Sequence, residues 1–159
     1  MEQLYQNNLK FIRKYPTLEK TILLLITYCP FITFGIYPCL LLYLYITHDT
    51  YFIEALLRPL LAFLFVTIFR HIINRPRPYD TMDIQPLKGH KHGQSFPSRH
   101  TLSAFVIALT CLHVNIYLGI LTLIIACIIA LTRILAGIHY ISDVVVAIII
   151  AVIFYIFPL

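Results

Sequence analysis

Two stretches leave this chain few ways to fold. From Thr21 to His48, and again from Thr101 to Thr132, there is no Asp, Glu, Lys or Arg. A helix needs about 20 predominantly apolar residues to cross a bilayer core, and in hydrocarbon only helices and closed barrels satisfy every backbone polar group. Soluble domains are about 45–50% apolar and about 25% charged. This chain of 159 residues is 60% hydrophobic and 12% charged, with a mean hydropathy of +0.84. So few polar side chains cannot cover so much apolar surface in water. The sequence therefore specifies an all-α, polytopic membrane helix bundle in a single domain, residues 1–159, with no internal repeat.

The pattern divides into about five transmembrane helices. The first covers about 21–46 and is interrupted by Pro30 and Pro38, which are expected to kink it. After the turn "THDT" the second runs over about 52–73, with Glu54 and Arg58 spaced to pair on one helix face. Residues 74–97 hold Pro76, Pro78, Pro86, Gly89, Gly93 and Pro97, and form the one substantial polar loop. The uncharged 101–132 stretch would be about 48 Å long as one helix, against a core of about 30 Å. It must turn back, and "HVNIY" (113–117) marks the hairpin between spans of about 98–112 and 117–135. A last span covers about 142–158.

Residues 1–20 interleave Lys10, Arg13, Lys14 and Lys20 with Leu4, Leu9, Phe11 and Ile12, the pattern of an amphipathic segment lying at the interface. The first apolar run starts late and is long for a signal-peptide core of about 7–15 residues, so a cleaved signal is not expected. Cys29, Cys39, Cys111 and Cys127 lie in apolar runs without metal-ligand spacing and read as small buried hydrophobes. His90 and His92 in "GHKHG" lack the further ligands of a metal site. The net charge is +5, and Arg70, Arg75, Arg77, Lys88, Lys91 and Arg99 crowd into thirty positions. On a membrane protein such a cluster points to anionic lipid headgroups rather than nucleic acid.

Ionisable residues at membrane depth are costly and mark function. Here they form three knots: "RHIINRPRP" (70–78), "FPSRHT" (96–101) and "RILAGIHYISD" (133–143). No crossing separates the first knot from the second, and two separate the second from the third. All three therefore face one side of the membrane. Arg70, Arg77, Arg99 and Arg133 then meet with too few carboxylates to neutralise them, and guanidinium forks suit phosphate oxygens. Ser98 is placed to cap the third span, whose N-terminal amides also favour an anion. His100 and His139 supply a nucleophile and a general acid. Asp143, four residues after His139, can hold one ring nitrogen. Gly137 can place His139 in a turn ahead of the last helix, with Ser142 as that helix's cap. Arg75, beside the first knot, reads as structural or headgroup-facing.

These motifs resemble the type 2 phosphatidic acid phosphatase (PAP2) family, whose pattern is K-x6-RP, PSGH and SR-x5-H-x3-D. The chain carries Arg70-x6-Arg77-Pro78, Pro97-Ser98-Arg99-His100 and Thr132-Arg133-x5-His139-x3-Asp143. Arg70 stands for Lys, Thr132 for Ser and Arg99 for Gly, the last removing any glycine-specific backbone role there. The resemblance implies that His139 is a nucleophile forming a phosphohistidine, that Asp143 orients it and that His100 is the general acid. It implies that Arg70, Arg77 and Arg133, with Ser98 and an added Arg99, hold the phosphate. It also implies hydrolysis without metal or cofactor of a lipid phosphate drawn from the bilayer, and a pocket on the extracytoplasmic face of the cell membrane. The N-terminal basic residues, on the same side as the pocket, favour the cytoplasm; the extracytoplasmic face is the expectation. Among substrates, undecaprenyl diphosphate leads, ahead of phosphatidylglycerophosphate and phosphatidate. A phosphotransferase using the same histidine, or a non-catalytic lipid-binding or transport protein, are the rivals. Nothing in the sequence fixes an oligomeric state.

Overall fold

The computed structural model describes residues 1–89 and 92–157, and the described residues contain seven helices and no strand. They are α1 (Glu2–Lys14), α2 (Pro16–Ile46), α3 (Phe52–Ile73), α4 (Pro78–Thr81), α5 (Arg99–Val114), α6 (Ile116–Leu135) and α7 (Ile141–Ile156). α2, α3 and α6 are long and apolar enough to cross a membrane. α5 and α7, at 16 residues each, reach about 24 Å and are the short members of the bundle. The expected five-helix membrane bundle is present.

α5 is the axial helix, packed on α2, α3, α6 and α7. In lipid, helices gain little from burying hydrocarbon and associate by close van der Waals approach of small residues. The core follows that rule: Ala104 and Ala108 of α5, Ala126 and Ala130 of α6, and Ala147 and Ala151 of α7 are buried at i, i+4 spacings. Larger Leu102, Phe105, Val66 and Ile129 fill the spaces between them. The outward surface is apolar too, with Phe31, Ile72, Leu131 and Ile156 exposed around the perimeter. Cys29 and Cys111 are buried as expected, whereas Cys39 and Cys127 lie on that perimeter.

Several local expectations need correction. α2 begins at Pro16, five residues before the first expected span; a proline at the first helical position loses no bond, and the helix continues past Pro30 and Pro38. The 74–97 loop contains one helical turn, α4, despite its prolines, because Pro78 opens it and Asp80 accepts from the Arg77 backbone N–H at 2.8 Å. The hairpin is tighter than expected. Asn115 alone separates α5 from α6, and its side chain caps α6 by accepting from the Tyr117 and Leu118 amides. Lys91, counted in the basic cluster, His90 and the last residue of the expected 142–158 span lie outside the described residues.

The N-terminal segment is the amphipathic helix expected, and it docks on protein. α1 buries Tyr5, Leu9 and Ile12. Asn8 donates to the Leu135 carbonyl at 2.9 Å and Arg13 to the Gln85 carbonyl at 2.7 Å. At the opposite end of the bundle, Arg58 pairs with Glu54 and donates to the Tyr155 carbonyl, where a cation complements the C-terminus of α7.

Candidate active site

The end of α3, the start of α5 and the α6–α7 junction converge, as counting crossings predicts. Arg70 donates to the Pro97 carbonyl at 2.8 Å, and the Ser98 backbone N–H donates to the Asp143 carbonyl at 2.9 Å. A pocket of about 250 Å³ lies there, lined by Arg70, Arg77, Arg99, His100 and His139, with His92, Gly93 and Gln94 along one wall.

Backbone geometry sets His139. α6 ends at Leu135, and the chain turns away at Gly137, whose φ of +72° belongs to the left-handed region open to glycine. The Ile138 and His139 amides both fold back onto the Arg133 carbonyl. His139 thus sits in the turn before α7, 2% exposed, with the Tyr5 hydroxyl of α1 donating to its carbonyl at 3.1 Å. Its Nδ1 lies 3.3 Å from Asp143 Oδ2. A carboxylate only accepts, so Nδ1 carries the proton and the lone pair lies on Nε2, the nitrogen left for the pocket. Burial, helped by the charges of Arg77 and Arg70 and opposed by Asp143, lowers this imidazole to a pKa of about 4.

Asp143 is fully buried and saturated with donors. Oδ1 accepts from Arg75 Nη1 at 2.8 Å; Oδ2 accepts from the Ser95 hydroxyl and from the Tyr140 amide at 3.0 Å. The last bond makes Tyr140 the cap of α7; Ser142, expected in that role, lies inside the helix and accepts from Arg75. Arg75 is also stacked over the Tyr140 ring, 4.2 Å from its centroid, so its role is to brace Asp143. Sequence reading missed Ser95, because a lone serine in a polar loop carries no spacing signal. Its proximity to the PSRH segment was the available hint.

The cations come from different elements. Arg77 Nε donates to the Gly93 carbonyl at 3.0 Å, and Asp80 accepts from the Gly93 amide and from His92. Gly93 has φ +68°, and a Cβ there would stand 2.8 Å from Asn74 Oδ1, so a larger residue would be strained and would displace the Asn74 side chain. Arg99 lies over the Phe63 ring at 5.4 Å. Among the described residues, positive φ outside glycine occurs at His48, Asn74 and Gln94, so residue 99 needs no glycine freedom.

Two expected phosphate ligands do not line the pocket. Ser98 occupies the N-cap position of α5, but makes no side-chain cap bond; it is fully buried and accepts from the Thr101 hydroxyl at 2.9 Å. Arg133 is 2% exposed, with Nη2 3.3 Å from the Ile26 carbonyl. Among the described residues its Nε has no partner. His92 reaches Asp80, and no group of three or more His, Cys, Asp or Glu among the described residues is placed to hold a metal.

The PAP2 superfamily model matches residues 51–158, the segment that builds this pocket. The chain belongs to the PAP2 superfamily. Two solved structures share its fold. The crystal structure of Aquifex aeolicus LpxE is 26% identical, with a TM-score of 0.76, covering 97% of this chain and 91% of that one. The crystal structure of a transmembrane PAP2 type phosphatidylglycerolphosphate phosphatase from Bacillus subtilis is 20% identical, with a TM-score of 0.71 over 97% of this chain and 80% of that one. No curated protein sequence matches the chain. With its family and its apolar helices, the protein is a membrane hydrolase of the lipid phosphatase type.

Proposed function

We propose that this PAP2 protein hydrolyses a phosphomonoester or diphosphate headgroup of a membrane lipid through a phosphohistidine at His139. Nε2 attacks phosphorus, the bond to the lipid oxygen breaks, and His100 protonates the departing oxygen. Water then attacks the phosphohistidine, His100 takes its proton, and phosphate leaves. Asp143 holds the tautomer throughout. Arg70, Arg77 and Arg99 bind the phosphoryl oxygens, while Ser98 and Arg133 support them from behind. The observation that carries this reading is the shared pocket: His139, backed by Asp143, faces the same space as His100 and three guanidiniums. Arg70 feels the like charges of Arg77 and Arg99, and Arg133 that of Arg77, a repulsion that a bound anion relieves. Undecaprenyl diphosphate, phosphatidylglycerophosphate and phosphatidate all present the phosphate this pocket takes.

Purified protein in excess chelator is expected to release phosphate from at least one of these lipids. Phosphate release unaltered by added alcohol, with no phosphorylated alcohol formed, separates hydrolysis from transfer. No release from any lipid by well-folded protein would favour a binding protein.

We further propose that the pocket opens on the extracytoplasmic face. His92 has a side chain 88% exposed at the rim, so a His92→Cys variant without the native thiols reports its side. Labelling of intact cells by an impermeant maleimide is expected; labelling only after lysis places the pocket in the cytoplasm.

A further inference from the structure

A second cavity lies beneath the first, on the lipid side of Arg99. It has a volume of about 280 Å³ and is bounded by Phe34 and Tyr37 of α2, Leu56, Pro59, Leu60 and Phe63 of α3, and Ser103 and Ile107 of α5. The two cavities adjoin where Arg99 meets Phe63. Arg99 lines the phosphate pocket and covers the Phe63 ring of the lower groove. Arg99, Ser103 and Ile107 are spaced at i, i+4, i+8, one stripe of α5 leading from the pocket downward. Ser103 is about 6 Å below Arg99 along that axis.

Two polar side chains face this groove, and their situations differ. The Tyr37 hydroxyl donates to the Ala55 carbonyl at 3.0 Å and the Leu56 carbonyl at 3.3 Å. It replaces the helical donor that Pro59 removes from Ala55. Ser103 Oγ has no hydrogen-bond partner among the described residues, although the residue is only 7% exposed. A hydroxyl within an apolar span ordinarily bonds back to the carbonyl four residues earlier. Thr27, Thr33, Thr67, Thr110, Thr122 and Thr132 all do so here. An unmet donor in hydrocarbon is costly, and this one lines the groove at a fixed depth below a phosphate-binding arginine.

Resting on the phosphatase reading above, we infer that this groove takes an acyl chain of the substrate and that Ser103 donates to the ester carbonyl at its head. In a diacylglycerol phosphate, the ester carbonyl follows the phosphorus by a few covalent bonds, so a phosphate at Arg99 carries it to the level of Ser103. An isoprenyl diphosphate has only carbon beyond its phosphate oxygens and offers no acceptor there. The groove therefore sorts glycerolipids from isoprenyl lipids by one hydrogen bond.

The test compares phosphate release from a diacylglycerol phosphate, its dialkyl ether counterpart of equal chain length, and a short tail-less phosphomonoester. Wild type is expected to favour ester over ether in kcat/KM by about three- to tenfold, the worth of one neutral hydrogen bond. Ser103→Ala should bring that ratio to about one. A wild type indifferent to the ester, or a preference that survives Ser103→Ala, overturns the inference while leaving the phosphatase reading standing. Failure to cleave any of the three while an isoprenyl diphosphate is still hydrolysed overturns this inference alone; failure on that lipid as well removes the phosphatase reading, and this inference with it.

Discussion

His139→Ala is expected to lower phosphate release by at least about 10⁴-fold, because the covalent step loses its nucleophile and no neighbour can replace it. The geometry makes the demand specific. Nδ1 is committed to Asp143, so Nε2 alone can attack, and alanine leaves a gap that water fills without the same alignment. Rapid quenching of wild type with lipid labelled in its phosphate should trap a protein-bound label that survives alkali and is lost in acid. The variant should trap none. The pH dependence belongs to the same prediction. An ordinary imidazole is neutral above about 6.5, whereas burial holds His139 neutral down to about 4. As pH falls, the limb assigned to nucleophile protonation should therefore appear near 4 in kcat/KM, with no loss on crossing 6.5 from this group. Full turnover by folded His139→Ala would end the phosphohistidine mechanism.

The fold was legible because hydrocarbon imposes few alternatives. Uncharged runs mark the helices, and the arithmetic of crossings places three distant knots at one end of the bundle. Arg70, Arg77, Arg99, His100 and His139 were readable for the same reason, since each is an expensive residue at membrane depth. What escaped was local. Ser95 looks like any loop serine until folding brings it to Asp143, 48 positions away. Ser142 looked like a cap because capping preferences are short-range, and the tertiary need to fix Asp143 handed that place to Tyr140. Burial of Ser98 and Arg133 behind the pocket wall is likewise a property of packing, invisible in a motif that marks both only by position.

Asp143→Asn is expected to damage both stability and catalysis. The carboxylate accepts on both oxygens, from Arg75 on one side and from Ser95, Tyr140 and His139 on the other. A carboxamide has one acceptor. If its oxygen faces Ser95, Tyr140 and His139, its NH₂ confronts the Arg75 guanidinium. Turned the other way, it sets a donor against three donors at a site with no exposure to water. Losing charge-assisted bonds in this setting costs about 1.5–3 kcal/mol. Arg75 is a third exposed along its side chain and can swing toward solvent, which keeps the cost below that of a wholly buried broken pair. The catalytic loss is separate: without a carboxylate, His139 is free to place its proton on Nε2, where it cannot attack. A fall in kcat of about 10²–10⁴ follows from the loss of tautomer control. Arg75→Met tests the division, since it removes the brace from Oδ1 but leaves the His139 contact on Oδ2. It should lower the melting temperature in detergent while reducing kcat far less than Asp143→Asn does. Equal losses of kcat in the two variants would mean that Arg75, and not the Oδ2 contact alone, sets the orientation of the histidine.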